Sequence, residues 1–146
     1  MTAVTVWPPP GMVQRKIDVL DSTMAFVEAS RGQPGASVPV LLFLHGNPTS
    51  SFLWRHVLGE LTGQVHAVAV DLIGMGASGK PAADYTFADH RRYLDAFVDA
   101  LGLRDVVLVW HDWGAVLGLD LARRRPEVVG AIAVCEGHLH PFEHWS

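Results

Sequence analysis

The sequence predicts an α/β domain, a mostly parallel sheet with helices on both faces. Short, continuous apolar runs at residues 40–44, 67–70, 106–109 and 131–134 have the pattern of strands buried on both faces. Between them lie segments whose apolar residues recur at i, i+3, i+4 and i+7, the period of an amphipathic helix. Strands alternating with helices in this way indicate a sheet covered on both sides.

The elements follow in order. Residues 16–20 and 24–28 flank Asp21-Ser22-Thr23 and read as two strands around a short turn. Residues 31–39, rich in Gly and Pro, read as a loop within one domain. After the run at 40–44, Ser50 or Ser51 can cap a helix that carries Trp54, Val57, Leu58 and Leu61. A second helix, with Leu94, Phe97, Val98 and Leu101 on its apolar face, follows Thr86 and stops at Gly102. The third starts near Trp113 and ends in Arg123-Arg124-Arg125-Pro126, where three cations meet the negative end of the helix dipole and a proline stops the helix. The sixth strand finishes at Cys135, and the remaining eleven residues supply no element to cover its edge, so the reading is of a chain truncated after that strand.

Composition narrows the function. The 146 residues are 49% hydrophobic and 18% charged, which suits one globular domain. With 11 basic and 15 acidic residues the formal charge is -4, which argues against nucleic acid or an anionic membrane as partner and leaves a small neutral ligand open. The single Cys135 forms no internal disulfide, the opening MTAVTVWPPPG has neither a charged nor an apolar leader segment, and no apolar run is long enough to span a bilayer. A soluble, cytoplasmic protein is expected.

Ligands of α/β sheets bind beyond the carboxyl ends of the strands. There the sequence places His45-Gly46-Asn47-Pro48, then Asp71 with the glycines at 74, 76 and 79, then Asp112-Trp113, and last Glu136. The stretch VLVWHDWGAVLG, residues 107–118, sets Asp112 where a strand-to-helix nucleophile elbow carries its serine, with Gly114 as the small residue that lets the turn approach its neighbours. A helix N-terminus favours the ionised form of this acid. A carboxylate suits displacement at a saturated carbon, because the alkyl ester it forms is cleaved by water at its carbonyl, whereas a serine would be left as a stable ether. An alkyl halide or an epoxide is the natural electrophile.

Four stretches, LLFLHGNPTSSFLWRHV, DLIGMGASGKP, HRRYLDAFVDALGL and VVLVWHDWGAVLG, make residues 40–136 resemble the haloalkane dehalogenases of the α/β-hydrolase superfamily. The resemblance implies an α/β-hydrolase fold in which residues 1–146 form the N-terminal part of the core domain, with the cap domain and C-terminal strands absent. It implies Asp112 as nucleophile, Asn47 and Trp113 as halide-binding residues whose backbone N–H groups also form the oxyanion hole, and Glu136 as acid partner of the catalytic histidine. The Asn47 amide and Trp113 indole are neutral donors, suited to a departing halide without neutralising the attacking carboxylate. The implied partners are a small apolar halogenated substrate, water and the halide product, with no cofactor and no metal. The histidine that would activate water has no counterpart here: His45 belongs to the oxyanion loop, His111 should point away from Asp112, and His138, His140 and His144 follow the last strand. The isolated chain is therefore expected not to turn over.

Other readings stand beside this one. An epoxide hydrolase also uses an Asp elbow, but such enzymes carry an aromatic residue where Asn47 stands and take their acid from a later strand. A cofactor-independent oxygenase of the same framework and a non-catalytic gene fragment remain open. Residues 74–79 match G-x-G-x-x-G, yet Gly79-Lys80-Pro81 breaks the helix a dinucleotide site requires. His138, His140 and His144 lack the cysteine or acid cluster that completes a metal site. Asp71 reads as a loop-fixing carboxylate, and Trp110 is unusually large for its place two residues before the nucleophile, a size that packing below the turn would accommodate.

Overall fold

The computed structural model describes residues 7–29 and 39–137. Six strands form one sheet in the order β1-β2-β4-β3-β5-β6: β1 Val13–Val19, β2 Ser22–Ala29, β3 Val40–Leu44, β4 His66–Val70, β5 Val106–Trp110 and β6 Val129–Val134. β3, β4, β5 and β6 pair in parallel, whereas β1 and β2 form an antiparallel hairpin that joins β4 antiparallel. The expected mostly parallel sheet is present, and the strands run one to three residues beyond several of the expected limits.

Helices cover both faces, as the period-2 pattern demands. On one face Leu42, Leu44, Val68, Val70, Leu108 and Trp110 pack against α2, Phe87–Ala100, and α3, Trp113–Arg124. On the other, Phe43, Ala67, Ala69 and Val109 pack against Trp54 and Leu58 of a 3-10 turn, Ser51–Trp54, and the helix α1 that continues it, Arg55–Leu61. Each central strand thus alternates its side chains between two cores. Ser50 caps the turn by accepting from the Phe52 N–H. Thr86 caps α2 in a reciprocal box with Asp89, and Gly102, at φ +62°, ends it. Among the cations at the end of α3, Arg124 ties two helices together. It grips Asp95 of α2 through two hydrogen bonds, at 2.9 and 3.0 Å, and Asp120 one turn back at 2.6 Å.

Two expectations are corrected. The apolar period predicts Val57 on the buried face of α1, yet it is 46% exposed, because Leu58 and Trp54 supply the contact with the sheet. The apolar run at 131–134 predicts a strand buried on both faces, yet Ile132 and Val134 are 41% and 53% exposed. β6 pairs only with β5 and lies at the sheet edge among the described residues. An apolar run records what a strand can bury, and whether a neighbour lies over it is a tertiary fact. The loop read at 31–39 falls outside the described residues except for Pro39.

Candidate active site

The loops after β3, β4, β5 and β6 meet at one end of the sheet. Asp112 sits at the joint of β5 and α3 with φ 54° and ψ −124°, a conformation that residues other than glycine rarely adopt. The joint is held by backbone bonds on every side: His111 N–H donates to Leu44, Asp112 N–H to Glu136, and Ala115 N–H back to Asp112. A Cβ on Gly114 would overlap the Leu44 carbonyl, and one on Gly46 would overlap the Asp112 carboxylate, so both glycines are required by close approach. Trp110 lies beneath the turn with 1% of its surface exposed, and the space for it is made by Gly118 of α3, whose Cβ would meet the indole edge. Packing accommodates the large residue, as expected.

The Asp112 Oδ1 accepts the Asn47 N–H at 2.9 Å. Among the described residues Oδ2 has no hydrogen-bond partner, and the side chain is exposed. Asn47 and Trp113 line a common crevice of about 280 Å³ with Leu72, Met75, Phe87 and His90. Glu136 reaches the site through its backbone. Its side chain is 77% exposed and lies 3.2 Å from the His111 imidazole, Oε2 to Nε2. His111 therefore faces Glu136 rather than Asp112. Residues 138, 140 and 144 lie outside the described residues.

Behind Asn47 the loops are pinned by buried polar groups. The Asp71 carboxylate, 2% exposed, accepts the Ser51 N–H at 2.7 Å and the Ala77 N–H at 2.8 Å, tying the loop after β3 to the loop after β4. That is the loop-fixing role expected of it. Gly74 and Gly76 take positive φ in a turn closed by Gly74 N–H donating to Gly79, and no helix follows until Phe87, so the G-x-G-x-x-G match is a turn. Sequence reasoning missed His90, which lines the crevice with its Nδ1 buried and unpartnered among the described residues. Its signal was weak, one histidine in the first turn of a helix.

Burial holds the His45 imidazole below the usual histidine range, against the opposing pull of the Gly46 carbonyl and Asp71 and with His90 adding to it. Burial also lowers His90, opposed by Asp89. The unfolded chain thus binds protons that the folded chain refuses. Stability from these groups is complete above about pH 6.5, the ordinary histidine value, and is lost as pH falls through it toward the lowered folded values. Urea unfolding midpoints are expected to drop between about pH 7 and pH 5, above the window where carboxylates protonate. A flat midpoint across that interval would contradict the assignment.

The family called alpha/beta hydrolase fold matches residues 39–146. The chain belongs to the α/β-hydrolase fold family. This hydrolase-fold chain is 54% identical over 131 residues to a haloalkane dehalogenase of Mesorhizobium japonicum, a match covering 90% of the chain and 40% of that relative. A haloalkane dehalogenase of Bradyrhizobium diazoefficiens is 46% identical, with 90% and 41% covered. Among solved structures, the haloalkane dehalogenase DatA from Agrobacterium tumefaciens C58 superposes with a TM-score of 0.80 at 43% identity, covering 88% of this chain and 42% of that one. The chain therefore spans about two-fifths of the length of the relatives it matches. No helix among the described residues is long and apolar enough to cross a membrane.

Proposed function

We propose that this hydrolase-fold chain carries the nucleophile half of a hydrolytic haloalkane dehalogenase, with Asp112 forming a covalent alkyl ester. The observation that carries the reading is the Asp112 carboxylate itself, exposed on a left-handed elbow with one oxygen engaged by the Asn47 N–H. In this scheme Oδ2 attacks the carbon that bears the halogen. A C–O bond forms, the carbon–halogen bond breaks, and the electron pair leaves with the halide toward the Asn47 amide and Trp113 indole. Oδ1 becomes the ester carbonyl oxygen, already facing a backbone donor suited to the negative charge that develops when water attacks. Hydrolysis then releases the alcohol and restores the carboxylate, the proton of water passing to a base. The resemblance assigns that base to a histidine oriented by Glu136, a histidine for which the sequence of residues 1–146 offers no counterpart.

The support is joint: dehalogenase relatives at 46–54% identity, and a crevice lined by Asn47, whose N–H bonds the exposed Asp112 carboxylate, and by Trp113, the next residue in the chain. Attack needs no base, whereas hydrolysis does. The purified chain incubated with a short 1-haloalkane is therefore expected to gain one alkyl group on Asp112 by intact-mass and peptide analysis, and to release at most one halide per chain. Asp112→Asn should gain none. Sustained halide release would refute the single-turnover reading, and alkylation that persists in Asp112→Asn would refute the nucleophile.

A further inference from the structure

The Asn47 N–H engages Asp112 only if the Gly46–Asn47 peptide is turned the right way, and the structure shows what turns it. That peptide is trans, so its C=O and N–H point in opposite directions and fixing one fixes the other. The Gly46 carbonyl is surrounded by three donors: the His45 ring at 2.7 Å from Nδ1, the Thr49 hydroxyl at 2.9 Å and the Thr49 N–H at 3.2 Å. The tautomer of His45 is decided by its other nitrogen. Nε2 accepts the Leu72 N–H at 2.9 Å, and a backbone amide can only donate. The proton of the neutral ring is therefore on Nδ1, where it donates to Gly46. Since His45 is wholly buried, this chain of bonds runs from the end of β4 through the ring to the back of the Gly46 carbonyl without competition from water.

We propose that His45 and Thr49 are positioning residues that hold the Gly46–Asn47 peptide with its N–H aimed at the Asp112 carboxylate. Neither side chain touches the reacting atoms. Each acts through one carbonyl oxygen, and the ring transmits the placement of Leu72, whose side chain lines the same crevice, to the oxyanion donor. For its catalytic consequence the inference rests on the function proposed above; for its geometry it does not.

The test separates the two nitrogens of the ring. An Asn side chain places an amide near Nδ1 and keeps a donor for the Gly46 carbonyl, whereas a Gln side chain reaches the position of Nε2 and keeps an acceptor for Leu72. Four variants of the full chain, His45→Asn, His45→Gln, Thr49→Ser and Thr49→Val, are 15N-labelled, and the Asn47 amide is followed by proton shift and exchange protection. Asp112→Asn gives the reference in which the charged acceptor is gone. Thr49→Val and His45→Gln are expected to move the Asn47 amide toward that reference although the carboxylate is intact, while Thr49→Ser and His45→Asn keep it near the parent. The Ser51 and Ala77 amides, which bond Asp71, report whether each variant has kept the loops folded; Thr49→Val, which keeps the shape of the parent side chain and removes only the hydroxyl donor, decides the matter if His45 variants do not fold. A parent-like Asn47 amide in folded Thr49→Val and His45→Gln overturns the proposal. So does an order of effects that follows Leu72 contact rather than Gly46 contact, with Asn worse than Gln. Asp112 alkylation should slow by about 100-fold in Thr49→Val and His45→Gln, the scale of a small misplacement of a reacting group. If the parent chain forms no adduct, the proposed chemistry fails while the amide measurements still decide the positioning role.

Discussion

Gly114→Ala is expected to lose about 3 kcal/mol of stability, the upper end for overpacking, because the added methyl meets backbone that has nowhere to go. Its Cβ would overlap the Leu44 carbonyl oxygen and lie 3.0 Å from that of His45, at the end of a central strand paired on both sides. Relief requires α3 to lift from β3. That would also move Asp112, whose carbonyl accepts the Ala115 N–H, away from the Asn47 donor. The same substitution at Gly59 is the internal control: the position is exposed on α1 with nothing within 4 Å of an added Cβ. There alanine should stabilise by roughly 0.5–1 kcal/mol through lower unfolded-state entropy and better helix propensity. Urea unfolding of the two variants measures both signs. A Gly114→Ala midpoint equal to that of the parent would mean the elbow is not packed as described.

Trp110→Leu is expected to cost about 3 kcal/mol, since it hollows the core beneath the elbow where the indole is 1% exposed. Gly118→Ala should cost about 1–3 kcal/mol for the opposite reason, its Cβ standing 2.6 Å from the Cε3 edge of that ring. The two residues share one volume, so their effects should not add. In Trp110→Leu/Gly118→Ala the methyl occupies part of the space the indole vacates, and the double variant should be more stable than the sum of the singles by about 1 kcal/mol or more. Strict additivity would show that Gly118 is small for some reason other than Trp110. The Trp110 indole N–H is buried without a partner among the described residues, so part of the expected loss is offset when the ring is removed.

What the sequence determined by itself is what depends on local pattern. The order of strands and helices followed from apolar period. Thr86 with Asp89, and Gly102, marked the two ends of α2 because a cap needs only its own turn of backbone. The strand-to-helix joint located Asp112, and the loops after β3, β4 and β5 located Asn47, Asp71 and Trp113, since strand carboxyl ends are where such a sheet presents side chains. Only the tertiary structure decided which segments meet. It set the β1–β2 hairpin antiparallel beside β4, and left the side chains of Ile132 and Val134 exposed among the described residues despite their apolar run. It fitted Trp110 against Gly118, turned His111 to Glu136, and brought Leu72, His45 and Thr49 together behind one peptide. These depend on distances between residues far apart in the chain or on which way a side chain turns, and neither period nor propensity carries that information. A residue type states what a group can bond or bury, and the fold decides what stands within 3 Å of it.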